Sequence, residues 1–258
     1  MASKKIRRRD LIQQVVQERG GVSVGALAEM LGVSTQTIRR DLDVLCDGES
    51  LRRAHGRIEL SVDRLNMPFD QRVDTNHAGK HAVAKKVASM IPNGSTLFLS
   101  IGSTPLEVAR ALASKQELTV ITNNLSAAMA LSHERSNRIL LPGGELRLPD
   151  RDIIGEEAVD FFGRFRAEIA VFGVAGVAED GGLLDFHPTE VRARVQMQEL
   201  AKKSILVLDR SKFGRHAPAA GANIADIDLV ICDRTPAPEF TEMLSGLNAN
   251  VVFSEEAT

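Results

Sequence analysis

Residues 32–42 read Gly-Val-Ser-Thr-Gln-Thr-Ile-Arg-Arg-Asp-Leu, a run that few local structures accommodate. Ser34 is a favoured N-cap, because its hydroxyl can accept a hydrogen bond from an unpaired backbone N–H in the first turn of a helix. Ile38, Leu42 and Leu45 follow at i, i+4 and i+7 and make one apolar stripe. At about 100° per residue, Gln36, Arg40 and Asp43 lie opposite that stripe, with Thr37 and Arg39 flanking it. A helix anchored by its far side, offering Gln, Thr and two Arg near its N-terminus, suits insertion into a DNA major groove. The plain alternative is a three-helix module with a solvated charged face, since Arg-Arg pairs are common on surfaces.

The flanking sequence favours the first reading. Lys5 to Arg19 has helical spacing, with Leu11, Ile12, Val15 and Val16 on one side, and Gly20-Gly21 stops it. Ser23 can cap a short helix carrying Leu27, Met30 and Leu31, and Gly32-Val33 supplies a tight turn. Helix, short helix, turn, helix is the helix-turn-helix order. Residues 51–60 then form two extended pieces around Gly56, a basic hairpin or wing. The DNA-reading set is therefore Ser34, Gln36, Thr37, Arg39 and Arg40 from the helix, with Arg52, Arg53, His55 and Arg57 from the wing.

Charge is distributed unevenly. The whole chain of 258 residues carries a net −2, but residues 1–60 carry +3 and the remainder −5. Phosphate contacts are made by one face, so the local excess matters more than the average. Lys4, Lys5, Arg7, Arg8 and Arg9 read equally as phosphate contacts or as a disordered basic tail. The two cysteines, Cys46 and Cys232, are far apart and fit no ligand spacing, which points to a reducing, cytoplasmic setting. No apolar run is long enough to span a membrane.

Residues 61–79 read as a linker of weak periodicity and mixed charge, between a winged helix-turn-helix domain at 1–60 and a second domain at 80–258. Lys80 to Met90 has amphipathic helical spacing through Val83, Val87 and Met90. Short apolar runs then recur at 96–99, 118–121, 138–141, 169–172, 204–208, 229–232 and 250–253, with helical stretches between several of them. Buried strands alternating with helices predict an α/β domain on a mainly parallel sheet.

Ligands of such sheets bind outside the carboxyl ends of the strands. The first strand leads into Ser100-Ile101-Gly102-Ser103-Thr104-Pro105-Leu106-Glu107, where Thr104 and Glu107 have capping-box spacing and Pro105 the favoured first helical position. Gly102, Ser103 and Thr104 would then lie at a helix N-terminus, a place for an anion or simply a capped loop. The other strand ends carry Thr122, Asn123, Asn124, Arg147, Asp209 and Lys212. Hydroxyls, amides and cations converging there suit a small phosphorylated polyol or sugar. Lys80, Glu190 and Arg194 complete the candidate effector set, although Glu190 and Arg194, at i and i+4, are also placed to pair with each other on a helix surface.

Taken together, V-S-T-Q-T-I-R-R-D-L (33–42), R-R-A-H-G (52–56), I-P-N-G-S-T-L-F (91–98), I-G-S-T-P (101–105), T-N-N (122–124), G-G-E-L-R (143–147), I-I-G-E (153–156) and S-K-F-G-R (211–215) resemble the DeoR-type transcriptional regulators over nearly the whole chain. The resemblance implies an N-terminal winged helix, a second domain related in fold to ribose-5-phosphate isomerase, an oligomer, and a phosphorylated sugar or polyol effector that controls binding to operator DNA, most often as a repressor. It implies that Gly102, Ser103, Thr104, Thr122, Asn123, Asn124 and Lys212 hold the effector and that Gln36, Thr37, Arg39 and Arg40 read DNA. The chain departs from the family pattern at Ser100, where relatives usually have Asp; at Arg194-Val195, where Lys-Arg is common; and at Arg57, where the wing usually has a second Gly.

An enzymatic alternative is a sugar-phosphate isomerase fused to a DNA-binding module. It would need a base and an acid, with Asp209, Glu190 and Lys212 the available groups. Fold alone does not carry that activity. His77 and His81 share a helical face at i, i+4, but no third ligand accompanies them, so no metal and no other cofactor is expected. Phe161, Phe162 and Phe165 read as helical core.

Overall fold

Ile12, Val16, Leu27, Ile38, Leu42, Leu45, Leu51 and Ile58 form the core of an N-terminal module in a computed structural model of the chain. The structure describes residues 2–19, 21–47, 51–54, 57–60, 68–247 and 250–254. The module runs α1 (Ala2–Arg19), β1 (Val22–Ser23), α2 (Val24–Leu31), α3 (Thr35–Asp47), β2 (Leu51–Ala54) and β3 (Arg57–Leu60). Ser23 caps α2 by accepting from the Ala26 N–H, and Ser34 caps α3 by accepting from the Thr37 N–H. Gly32 ends α2 at φ 61°, a left-handed conformation natural to glycine, and so sets the turn into α3.

Two local features differ from expectation. β1 pairs with β3, so the wing belongs to a three-stranded sheet; two residues are too few to show a period. The basic run at 4–9 is helical, and Arg8 and Arg9 are not free for phosphate. Their Nε atoms donate to the two oxygens of Asp41, at 2.6 and 3.1 Å. Asp41 lies on the buried side of α3, and a buried carboxylate is stable only when paired. Gly20, His55 and Gly56 lie outside the described residues.

Of the stretch read as a linker, 61–67 lies outside the described residues, and the part from Phe69 onward is helical. α4 (Phe69–Asp74) buries Phe69, and α5 (His77–Met90) starts three residues before Lys80, after Asn76 at φ 49°. Then follow β4 (Thr96–Leu99), α6 (Ser103–Ala111), β5 (Thr119–Thr122), α7 (Leu125–Leu131), β6 (Arg138–Leu140), β7 (Glu145–Arg147), β8 (Asp152–Ile154), α8 (Glu156–Phe162) and β9 (Ala167–Phe172). The chain continues through β10 (Gly176–Val177), β11 (Gly182–Asp185), α9 (Pro188–Glu199), β12 (Ala201–Leu208), β13 (Ala219–Asn223), β14 (Leu229–Cys232), α10 (Pro238–Ser245) and β15 (Asn250–Phe253).

Each of the seven apolar runs became a strand of one sheet, in the order β15-β14-β12-β9-β4-β5-β6, and every neighbouring pair is parallel. Alternation along the strands sorts side chains onto two faces. Leu97, Leu99, Val171 and Ile205 pack with Val83, Val87 and Val108 from α5 and α6. Phe98, Phe172, Leu206 and Val230 pack with Phe162, Met197 and Phe240 from α8, α9 and α10. Each such Phe or Leu contributes about 1.5–3 kcal/mol by leaving water.

β4 leads outward to β5 and β6, and β9 leads the other way to β12, β14 and β15, so the winding reverses between β4 and β9. That reversal separates the loops following the two strands and opens a crevice at their carboxyl ends. The hairpin β7–β8 and the antiparallel sheet β10-β11-β13 are additions that the sequence reading did not include. Both supply walls to the crevice.

Candidate functional site

The crevice is a narrow cleft with a cavity volume of about 60 Å³ and a mouth open to solvent. Residues 101–105 after β4 and 173–175 after β9 form its floor. Lys212 and Arg215 come from the loop after β12, Arg72 from α4, Arg147, Asp150 and Asp152 from the β7–β8 hairpin, and Asp185 and Glu190 from β11 and α9.

The floor is the N-terminus of α6. The expected capping box is absent: α6 begins at Ser103, two residues earlier than Pro105 as a first residue would require, and its cap is Gly102 at φ 113°. Gly102 has no side chain to cap the helix, so the first N–H groups are left open toward the crevice. Glu107, expected to cap, turns away to Arg110 and lies 4.0 Å from His77 Nε2. Open N–H groups and the positive end of the helix dipole favour an anion here.

The cations fall into two kinds. Arg147 is saturated: Nε donates to Asp152 Oδ1 at 2.9 Å, and Nη2 to Asp152 Oδ2 at 2.6 Å and Glu190 Oε1 at 2.5 Å. Burial alone would lower its pKa, but these carboxylates outweigh burial and raise it. Arg72 is half satisfied, its Nη2 donating to Asp150 while its buried Nε has no partner. Lys212 and Arg215 form no ion pair among the described residues, although Asp209 lies near enough to act on both. Arg215 is 9% exposed, stacks 5.7 Å from the Phe186 ring, and has an unpartnered Nε. Burial pushes its pKa down to about 10, and burial together with Arg215 holds the Lys212 ammonium well below its ordinary range. A buried cation without an anion costs several kcal/mol. Gly176 packs on the Arg215 carbonyl so closely that a Cβ there would lie 1.9 Å from the oxygen, so the position requires glycine.

Gly102, Ser103, Thr104, Arg147, Glu190 and Lys212 are thus brought together as expected. Six other candidates lie outside the lining. Lys80 donates its ammonium to the carbonyls of Arg72 and Thr75. Thr122 Oγ1 accepts from the Asn124 N–H. Asn123 Nδ2 donates to the Ile153 carbonyl and so ties down the hairpin. Asn124 Oδ1 caps α7, and its Nδ2 donates to the carbonyls of Ser100 and Gly102 at 3.3 Å, fixing the floor from behind. Arg194 pairs with Asp185 at 3.0 Å rather than with Glu190, because α9 packs its buried side against β11. Asp209 caps the 3-10 turn Arg210–Lys212, and Lys212, Ser211 and Lys80 hold its carboxyl low against the effect of burial. Ser100, at the family's Asp position, is buried and donates to the Ile101 carbonyl.

On the N-terminal module, Gln36, Arg39 and Arg40 stand exposed on α3. Ser34 and Thr37 share a hydroxyl hydrogen bond of 2.9 Å at its cap. Arg52 is half-buried, and exposed Arg53 pairs with Asp43 at 2.6 Å. Arg57 turns inward. Its Nε and Nη2 donate to the Gly21 carbonyl at 3.0 and 2.6 Å, and it pairs with Glu239 at 2.8 Å and Glu179 at 3.3 Å while lying over Phe240. The period of two explains this: Ile58 faces the module's core, so Arg57 points to the opposite side.

Two domain families match this chain. Residues 8–63 match the DeoR-like helix-turn-helix domain and residues 75–234 the DeoR C terminal sensor domain. The chain belongs to the DeoR family. It is 40% identical over 242 residues to the glycerol-3-phosphate regulon repressor of Escherichia coli K12, covering 94% of this chain and 96% of that one. The repressor of the same name from Haemophilus influenzae is 36% identical over 229 residues, 89% of each chain. The E. coli HTH-type transcriptional repressor CsqR is 34% identical over 249 residues, 96% and 95% of the two chains. A solved ribose 5-phosphate isomerase of Methanocaldococcus jannaschii overlays 54% of this chain and 55% of its own at TM-score 0.40 and 17% identity, too distant to bear on function.

This DeoR-family protein is a DNA-binding transcriptional repressor and not an enzyme. Of the groups considered for isomerase chemistry, Glu190 is bound to Arg147, Asp209 lies outside the crevice, bound to Ser211, and Lys212 lines it. Among the described residues, no group of three or more His, Cys, Asp or Glu is arranged to hold a metal ion, and no helix is long and apolar enough to cross a membrane. The sequence reading missed Arg72, Arg215, Asp150, Asp152 and Asp185. Arg215 was within reach, as it ends the quoted S-K-F-G-R motif; Arg72 was not, because its stretch showed no period.

Proposed function

We propose that this repressor controls a carbohydrate or polyol catabolic operon in the cytoplasm, and that a phosphorylated sugar or polyol such as glycerol 3-phosphate, seated in the crevice, modulates its grip on operator DNA. The observation that carries the reading is the pair Lys212 and Arg215, the first half-buried and the second nine-tenths buried, neither in an ion pair among the described residues, beside the uncapped N-terminus of α6. A phosphate supplies both missing partners at once. Asp150, Asp185 and Glu190 at the other wall can accept hydrogen bonds from hydroxyls, which suits a polyol tail.

In this reading residues 1–60 bind DNA, 61–79 connect and 80–258 sense. Gln36, Arg39 and Arg40 touch base edges from α3, and exposed basic groups such as Lys4, Lys5 and Arg7 meet phosphates. The repressor acts as a homo-oligomer, a dimer or tetramer, because two modules on a paired site multiply their affinities. The effector works by binding DNA-competent and DNA-incompetent arrangements unequally, with a coupling of about 1–3 kcal/mol.

The deciding experiment has two arms. In a thermal-shift screen of polyol and sugar phosphates, one compound should raise the melting temperature, since a ligand at about 100 times its Kd stabilises the fold by about 2.7 kcal/mol. The same compound should change the affinity for an operator fragment in a gel shift at physiological salt. No shift with any phosphorylated compound would refute the effector assignment. Failure to bind any double-stranded promoter fragment at low salt would refute the DNA assignment.

A further inference from the structure

We propose that Arg72 grips the effector's anionic group, so that the short connector helix α4 becomes part of the effector site and ligand occupancy fixes how the two modules are tethered. This deepens the anion-sensing reading above and rests on it.

Arg72 lines the crevice, and nothing in the sequence assigned it there. Its Nη2 is held by Asp150, and its Nε is buried and unpartnered. Arg215 lines the same space, nine-tenths buried, with its own Nε unpartnered. Two guanidinium groups of one crevice thus each have a buried donor to spare. Arg72 lies close enough to Lys80, Lys212 and Arg215 to depress their protonation. The four cations of the lining are matched in number by Asp150, Asp152, Asp185 and Glu190, so an anion is favoured by the two spare buried Nε donors rather than by net charge.

What distinguishes Arg72 from Lys212 and Arg215 is its place in the chain. α4 is the first described helix after β3, where the chain passes from the DNA-reading module to the sensor. α4 is seated on the sensor by a short set of named contacts, beginning with the ion pair between Arg72 and Asp150. Phe69 is buried, Arg151 pairs with Asp70 at 2.8 Å and lies 5.8 Å from the Phe69 ring, and Lys80 donates to the Arg72 and Thr75 carbonyls. An anion on Arg72 adds a charge-assisted bond to this set and removes the burial penalty of the spare Nε. The modules also touch directly, where Arg57 pairs with Glu179 and Glu239; if that contact opens and α4 leaves its seat, each released residue adds about 3.3–3.6 Å of reach between the modules. Occupancy therefore narrows the positions open to the DNA-reading helices of an oligomer.

The test uses the full-length protein with glycerol 3-phosphate and inorganic phosphate as probes. Hydrogen–deuterium exchange of residues 69–74 should slow by about tenfold or more when a probe saturates the wild type. Arg72→Gln should bind the probe roughly 10–100-fold more weakly and lose the protection, since hydrogen bonds to charged groups are worth that much. At probe concentrations that saturate Arg72→Gln, its operator affinity should no longer respond. Arg72→Lys, which keeps the charge and the reach to Asp150, should recover part of the binding. Unchanged exchange at 69–74 in the wild type while a probe binds through Lys212 would overturn the proposal, and that measurement needs no variant. So would Arg72→Gln that binds and responds like wild type beside a Lys212→Ala that does not, a result that leaves the anion site itself standing. A wild type that binds neither probe would take down the anion-site reading and this proposal with it.

Discussion

The arginines of the DNA-reading module and the cations of the crevice do opposite jobs with the same chemistry. Arg39, Arg40 and Arg53 stand in water, Arg53 already sharing its charge with Asp43. In high dielectric each such group contributes little alone, and duplex affinity comes from their number and from released counterions. Lys212 and Arg215 are buried or half-buried and unpaired, so each waits for one particular partner. The same charge gives graded, salt-sensitive adhesion when exposed and a discrete ligand requirement when buried. Arg57 belongs to the first group by sequence, but the structure places it in neither, since it is half-buried and already paired with Glu179 and Glu239.

The largest effect expected from this contrast is at Lys212. Lys212→Ala should weaken glycerol 3-phosphate binding by about 100-fold or more, the range for truncating one partner of a buried charge pair, as read by titration calorimetry. A change under threefold would put the anion elsewhere. Next comes the buried acid. Burial raises the Asp185 pKa from its ordinary 3.8 to about 6, against the pull of Arg194. The folded state then holds a proton that the unfolded state has released between those values, so stability falls as pH rises from about 4 to about 6, by up to about 3 kcal/mol. Asp185→Asn should remove that slope, and identical denaturant midpoint shifts for both proteins across pH 4–7 would contradict it.

Arg40→Ala should cost about 1–3 kcal/mol at the cognate operator if Arg40 meets a guanine edge, with little change on unrelated DNA. Equal losses on both would reassign it to phosphate. The smallest effect sharpens the comparison most. Arg57→Ala should leave the salt dependence of operator binding unchanged, because its guanidinium is occupied within the chain. A slope reduced by about one would mean that Arg57 releases its acidic partners and contacts a phosphate.

Much of this was legible in the primary structure. The caps at Ser23 and Ser34, the turn at Gly32 and the seven buried strands announce themselves through local chemistry and period. The crevice was only half legible. Ser103, Thr104 and Lys212 sit next to strand ends, where topology makes ligand contacts general. Thr122, Asn123 and Asn124 also follow a strand end, yet they spend their polar atoms on the backbone that shapes the site. Adjacency to a strand end does not say whether a side chain faces the ligand or the scaffold.

Sequence alone determined the division into a helix-turn-helix module and a parallel α/β unit, because capping and hydrophobic period are short-range and each stretch carries its own. Tertiary structure decided which charges are satisfied. Asp41 claims Arg8 and Arg9, Asp185 claims Arg194, Asp152 and Glu190 claim Arg147, and Glu179 and Glu239 claim Arg57. Lys212 and Arg215 line the crevice and make no ion pair among the described residues. Desolvation and pairing act through space between residues up to 182 positions apart, and no local pattern along the chain records them.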